Sequence, residues 1–206
     1  MKTRDRILET ALRLFNEDGA AKVPINRIAT ELEMSPGNLH YHFPQKGQLV
    51  DRLLRRLEDE AEPVLAGPGA ALIAVDDFWL FLHLVFEKMF MYRFLYRDVD
   101  YVMTEYPALA PRLRLLTSRG ITTVDRLCHQ LAAGGALRAS DADISVLALQ
   151  MMMVATCWFT FVRMLPETQD TGPGRAAYQV LSLLSPYLAD DARQYMDYLR
   201  RKYVSS

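Results

Sequence analysis

The chain has 206 residues, 50% of them hydrophobic, with 24 Lys and Arg against 25 Asp and Glu. That is enough apolar content to bury a core without staples, and two cysteines, Cys128 and Cys157, are too few for a secreted disulfide framework. The opening MKTRDRILET is charged and amphipathic, which argues against a signal sequence and for a cytoplasmic protein.

The first predicted element carries Ile7, Leu8, Ala11, Leu12, Leu14 and Phe15 on one wide apolar face and stops at Gly19, a support helix. Ile25, Ile28, Ala29 and Leu32 then recur at spacings of three and four, predicting a helix of about two turns with Asn26, Arg27, Thr30 and Glu31 outward. Ser35 offers an N-cap oxygen just before Pro36, a residue with no N–H to satisfy, so a further helix starts there. Leu39 and Phe43 lie four apart and must face the core, leaving Pro36, Gly37, Asn38, His40, Tyr41 and His42 on the remaining surface. Gly37 lets a phosphate approach the positive end of this helix. Pro44 ends it, and Lys46-Gly47 opens the next helix with a cation and free N–H groups. Two short helices around a tight turn, with a polar outward face, make a helix-turn-helix that fits a DNA groove.

On these residues the span from about Arg4 to Leu57 resembles the DNA-binding domain of the TetR family of transcriptional regulators. The matching pieces are ILETALRLFNEDG, the pair Ile28-Ala29, the turn at Met34-Ser35, and GNLHYHFPQKGQLV. Two positions depart from the family pattern. Val23-Pro24 stands where the family usually has capping threonines, and Glu33 stands where the turn often has Gly; a non-Gly residue held left-handed there costs roughly 1–2 kcal/mol. The expected contact surface comprises Asn26, Arg27, Ser35, Pro36, Gly37, Asn38, His40, Tyr41, His42 and Lys46. Within it His40, Tyr41, His42 and Lys46 position the DNA backbone, and Asn26, Arg27, Pro36 and Asn38 are candidates for base edges. Residues 1–57 hold ten bases and seven acids while the remainder holds 14 and 18, a mildly basic head on an acidic body.

Leu49, Val50, Leu53, Leu54 and Leu57 continue with helical spacing to about Glu62-Pro63. The expected organisation is a DNA-binding domain over 1–48, a linking helix to about 63, and an effector-binding and dimerisation domain over 70–206. Gly67-Pro68-Gly69 and Gly172-Pro173-Gly174 are breakers. Between them lie an aromatic-rich helix from about Leu72 to Arg97, a short turn of helix at Tyr101–Tyr106, and a helix from about Ala108 to Ala133. A further helix is opened by a cap at Ser140 and Asp143 and runs to about Leu165. Ala176–Leu188 and Asp191–Tyr203 complete an all-α fold, with no alternating strand pattern. Ile144 to Val162 is 19 residues without a charge, close to a membrane span. Gln150 inside it and the lack of a second span favour a buried central helix and no membrane, and in TetR-like proteins a helix here runs through the middle of the body.

No Gly-rich phosphate loop, HExxH, G-x-S-x-G or metal-spaced cysteine pair occurs, so neither an enzyme nor a metal or other cofactor is expected. An apolar helical body without a catalytic set is expected to hold a small-molecule effector of unknown identity, hydrophobic or amphipathic, beside Trp79, His83, Phe86, Phe90, Gln150, Met153, Cys157 and Trp158. For His83 and Met153 the competing reading is plain core packing, and oxidant sensing by Cys128 and Cys157 is the less favoured use of the thiols. The family resemblance implies a homodimer through the last two helices, with Tyr178, Leu181, Leu184, Tyr195, Met196 and Leu199 at the interface, bound to double-stranded DNA at an inverted repeat. The function expected is a DNA-binding regulator, a repressor released by its effector. The rivals are an architectural or protein-controlled DNA-binding protein, and a carrier or enzyme.

Overall fold

The structure is a computed structural model that describes residues 3–69, 72–166 and 171–203. It folds as two compact units, residues 1–60 with 91–113 and residues 61–90 with 114–206. Among the described residues no strand forms; one isolated antiparallel bridge joins Leu137 and Leu188.

In the first unit α1 (Thr3–Asp18) packs on α2 (Ile25–Glu31), and α2 packs on α3 (Pro36–His42). Ile7, Leu8, Ala11, Leu14 and Phe15 of α1 are buried, as are Ile28, Ala29, Leu39 and Phe43, the residues whose spacing predicts an inward stripe. Val23 is also fully buried and Pro24 opens α2 without a side-chain cap, so the Val-Pro entrance replaces a hydroxyl with core contact. α4 (Lys46–Ala66) closes the unit through Leu49, Val50, Leu53 and Leu54, and its Arg56 bridges Asp5 and Glu9 of α1. α4 runs past Pro63, where the sequence predicts its end. The carbonyls released at its C-terminus find donors: Thr123 Oγ1 reaches Leu65 O at 2.9 Å and Arg126 Nη2 reaches Ala66 O at 2.8 Å, both within the second unit.

Residues 91–113 are expected from the sequence to lie in the body, yet they pack in the first unit. They comprise α6 (Phe94–Arg97), α7 (Val99–Glu105) and the start of α8 (Ala110–Ala133). A buried polar hub holds them. Asn16 Nδ2 donates to Met91 O at 2.8 Å, its Oδ1 accepts from Phe94 N at 3.1 Å, and Arg97 donates to the carbonyls of Phe15 and Asn16 at the end of α1. Asp98 accepts from Ala20 N at 2.8 Å, and the Phe15 and Phe94 rings meet at 5.3 Å. Each bond satisfies a terminal group of α1 or an elbow group after α5, which would otherwise be buried unpaired at about 1–3 kcal/mol each.

The second unit contains α5 (Val75–Met91) up to Phe90, the rest of α8, α9 (Asp141–Phe161), α10 (Pro173–Ser182) and α11 (Asp190–Tyr203). Its core is Phe78, Phe81, Leu82, Phe86, Leu127, Leu131, Ile144, Leu147, Ala148 and Met151, joined by Trp158 and Phe159. The expected cap is present: Ser140 Oγ accepts from Asp143 N and the Asp143 carboxylate accepts from Ser140 N. α10 ends at Ser182, short of the expected Leu188, because Pro186 has no N–H to continue it and a single 3-10 turn follows instead.

Asp141–Met164 is long and apolar enough to cross a membrane, and the sequence predicts it as a buried central helix. Its burial is one-sided. Ile144, Leu147, Ala148, Met151, Ala155, Trp158 and Phe159 are inside, whereas Val146, Leu149, Met153, Phe161 and Met164 are exposed at spacings of three, four, eight and three. The run lacks charges because it has two apolar faces, only one of which its own unit covers.

Candidate nucleic-acid interface

The interface is built on a short, well-determined frame. The Ser35 side chain accepts from Asn38 N at 3.2 Å, capping α3, and Pro36 occupies the first helical position. With Leu39 and Phe43 fully buried, the helix period turns Ser35, Pro36, Gly37, Asn38, His40 and Tyr41 to solvent; Tyr41 is 83% exposed. A tyrosine that open, on a helix whose inner face is sealed, has no use in the packing of its own unit. His42 is half-buried with its ring edge 5.3 Å from that of Tyr41. The His40 ring is steadied by Pro44 O, 3.3 Å from its Nδ1. Around the Gly37 position nothing lies within 4 Å, so a close approach from outside is open there.

Asn26 and Arg27 are exposed on α2, beside the turn. Arg27 pairs with Asp18 at 2.7 Å, so it must leave or share that carboxylate to reach a base. The turn keeps its left-handed geometry with Glu33 in place, at φ 53°. Met34 N reaches back to Ala29 O at 3.0 Å, the bond that closes such a turn.

Lys46 is half-buried, and its Nζ donates to Tyr101 Oη at 3.4 Å while lying over the rings of Tyr101 and Phe15 at 5.5 and 5.8 Å. Neither Tyr101 nor its neighbour Tyr106 is evident from the sequence as part of this surface. Nothing local marks them; they arrive through the fold, 55 positions from Lys46 in the case of Tyr101. The hub residues Asn16, Arg97 and Asp98 escape notice for the same reason.

In the second unit the expected effector set does not converge. Trp79, His83 and Phe90 share one half-buried face of α5 with the buried Phe86. The Trp79 and His83 rings lie 5.8 Å apart, and Phe90 meets Phe159 edge-on at 4.9 Å. Gln150, Met153 and Cys157 are exposed on the outer side of α9, and Trp158 is buried with its Nε1 donating to Thr171 O at 3.2 Å. The helix period separates the two groups, since Met153 and Cys157 fall opposite the buried Met151, Ala155 and Phe159. His83 Nδ1 is buried without a hydrogen-bond partner among the described residues, while its Nε2 lies 3.5 Å from Glu87. Cys128 is buried, and burial followed by the Asp125 charge pushes its thiol up to about 12, leaving it inert at neutral pH.

The expected dimer set is also redistributed. Leu181, Leu184, Met196 and Leu199 are buried inside their own unit, and Tyr178 and Tyr195 are half-buried. α10 and α11 pack on each other and α10 packs on α9, which closes those apolar faces within one chain. The exposed apolar stripe lies on α9 instead.

Comparison with known proteins follows the same division. The family described as bacterial regulatory proteins, tetR family, matches residues 7–53, and the one described as bacterial transcriptional repressor, TetR, matches residues 56–196. Among solved structures the chain is similar to a TetR-family transcriptional regulator from Marinobacter aquaeolei VT8, with 33% identity, a TM-score of 0.89, and 98% of this chain and 99% of that one covered. It shares the fold of SmeT in its complex with triclosan, at 19% identity and a TM-score of 0.63 over 92% and 93% of the two chains. An HTH-type transcriptional regulator of Staphylococcus aureus is 39% identical over 56 residues, 27% of this chain and 30% of that protein. The curated relatives are thus matched over under a third of their length, the part that holds the helix-turn-helix.

Proposed function

The chain belongs to the TetR family of bacterial transcriptional regulators, and from that premise we propose that it acts as a homodimeric repressor released by an apolar or amphipathic effector. The observation that carries DNA recognition is the outward face of α3: Asn38, His40 and Tyr41 exposed over a fully buried Leu39 and Phe43. α3 enters the major groove, Tyr41, His40, His42 and Lys46 hold phosphates, and Asn26, Asn38 and Pro36 face base edges, with Arg27 joining them once Asp18 lets go. Two copies associate through the exposed stripe of α9, whose apolar side chains have no cover in the single chain.

The effector site is read on the inner face of α5. The unpaired Nδ1 of His83 beside Trp79 supplies one orienting polar atom in an apolar, aromatic setting, the combination typical of a small-molecule pocket. Effector binding in this fold has a precedent in SmeT, which forms a complex with triclosan. Release from DNA requires the effector to favour the conformation with lower DNA affinity, and α4, which contributes to both units, is the element through which that preference reaches the reading head.

Selection from a pool of random duplexes tests the reading directly. Enriched sequences are expected to carry two inverted half-sites with centres about one helical turn, ~34–36 Å, apart. Enrichment of single unpaired half-sites would count against the dimer, and no enrichment at all would count against sequence-specific recognition.

A further inference from the structure

Lys46 differs from the other cations near the reading head in what holds it. Arg27 is paired with Asp18, and Arg13 with Glu17 and Glu31, so carboxylates offset part of their charge. Among the described residues no carboxylate pairs with Lys46; its ammonium rests on one phenol oxygen and two ring faces. The seat is itself organised. Tyr101 Oη lies 3.3 Å from Tyr106 Oη, and the two rings meet edge to face at 87° with centroids 6.0 Å apart. The Tyr106 ring lies flat against the start of α4, where a Cβ on Gly47 would come within 3.0 Å of it. Burial, then the hydrogen bond with Tyr101, raises the Tyr106 phenol above its ordinary range, so this half of the seat stays neutral at any physiological pH.

A neutral seat has a definite consequence for a cation. It fixes the position of the ammonium without cancelling its charge, and it occupies one of three N–H donors, leaving two for another acceptor. A lysine free in solvent loses rotamer freedom when it grips a phosphate; one already held has lost it before the DNA arrives. We propose that Tyr101, supported by Tyr106 and by Phe15 of α1, is a positioning residue for DNA binding that presents the Lys46 ammonium, still fully charged, to the DNA backbone. The proposal rests on Lys46 being a phosphate contact. It makes α7 part of the reading head: the tyrosines on and just after this helix set how well the first residue of α4 meets DNA.

A double-mutant cycle on the full-length protein tests it, with affinity for a mixed-sequence duplex of about 30 base pairs followed as a function of salt. Lys46→Ala is expected to weaken binding and to lower the slope of log affinity against log salt by about 0.9, one phosphate contact per head. Tyr101→Phe, which keeps the ring and the core, is expected to weaken binding about three- to tenfold with the slope unchanged, because the charge remains and only its placement is lost. Tyr106→Phe is expected to give a smaller loss of the same kind. The double variant Tyr101→Phe, Lys46→Ala is expected to bind as Lys46→Ala alone does. Wild-type or tighter binding by Tyr101→Phe, or losses that add in the double variant, would overturn the positioning role while leaving the reading of Lys46 intact. An unchanged affinity and slope for Lys46→Ala would overturn that reading, and the seat's purpose with it.

Discussion

Glu33 sits at φ 53° between α2 and α3, in the left-handed region where a side chain is strained. The hydrogen bonds of the turn are all made around it, so the chain carries this strain instead of relaxing the geometry. Glu33→Gly is therefore expected to stabilise the protein, by roughly 0.5–1 kcal/mol once the greater freedom of glycine in the unfolded chain is subtracted, or about 2–3 °C in thermal melting. A drop in Tm would mean that the glutamate side chain contributes something the turn geometry does not reveal. Gly37 is the opposite case, a glycine in an ordinary helical conformation with open space around it. Alanine there should leave stability unchanged or raise it by about 0.5–1 kcal/mol, yet lower DNA affinity several-fold by holding the duplex off. Were stability lost and DNA affinity retained, the glycine would belong to the fold and not to the interface. Both residues were legible in the sequence, Glu33 as an exception to a turn rule and Gly37 as a gap in an otherwise polar face, because turn and helix geometry depend only on near neighbours.

At the scale of elements, the caps, breakers and apolar periods were read with little error, and the departures have local causes. α4 outlasts Pro63 because Thr123 and Arg126 serve its last carbonyls, and α10 stops early at Pro186. α8 and α9 are tied at one end by His129, whose Nδ1 donates to Asp125 O at 2.9 Å and whose Nε2 lies 3.5 Å from the Asp141 carboxylate at the start of α9. The Asp125 carbonyl, then the carboxylates of Asp125 and Asp141, raises this histidine above its ordinary 6.5. A raised pKa means that protonation favours the folded state: the contribution is complete below about pH 6.5 and is lost as pH rises through the raised folded value. His129→Gln should therefore be less stable than the parent at about pH 5.5, and the gap should narrow by about pH 8.5 in urea titrations. A gap independent of pH would leave the imidazole with a packing role only. The group is largely exposed, so the effect is expected to be small and to shrink further with salt.

For the molecule as a whole, the exposed stripe on α9 carries the central prediction. Leu149 and Met153 are 60% and 57% exposed, so Leu149→Asp with Met153→Asp should leave the protomer folded while placing like charges against each other in a two-fold interface. Sedimentation should then report a monomer, and affinity for the selected operator should fall at least tenfold, since one head of small net charge binds weakly alone. A variant that stays dimeric would move the interface elsewhere. The same stripe marks where reading the chain reaches its end. The sequence by itself determined that the protein is all-helical, where its reading head lies and which side chains that head exposes, because helix period, capping and turn chemistry act over a few residues. Only the tertiary structure decided that Leu181, Leu184, Met196 and Leu199 are closed off inside one chain, that α9 keeps a second apolar face open, and that Tyr101 stands under Lys46. An apolar face looks the same in sequence whether its own chain covers it or a partner does, and a seat assembled from positions 15, 46, 101 and 106 exists only once the chain has folded back on itself.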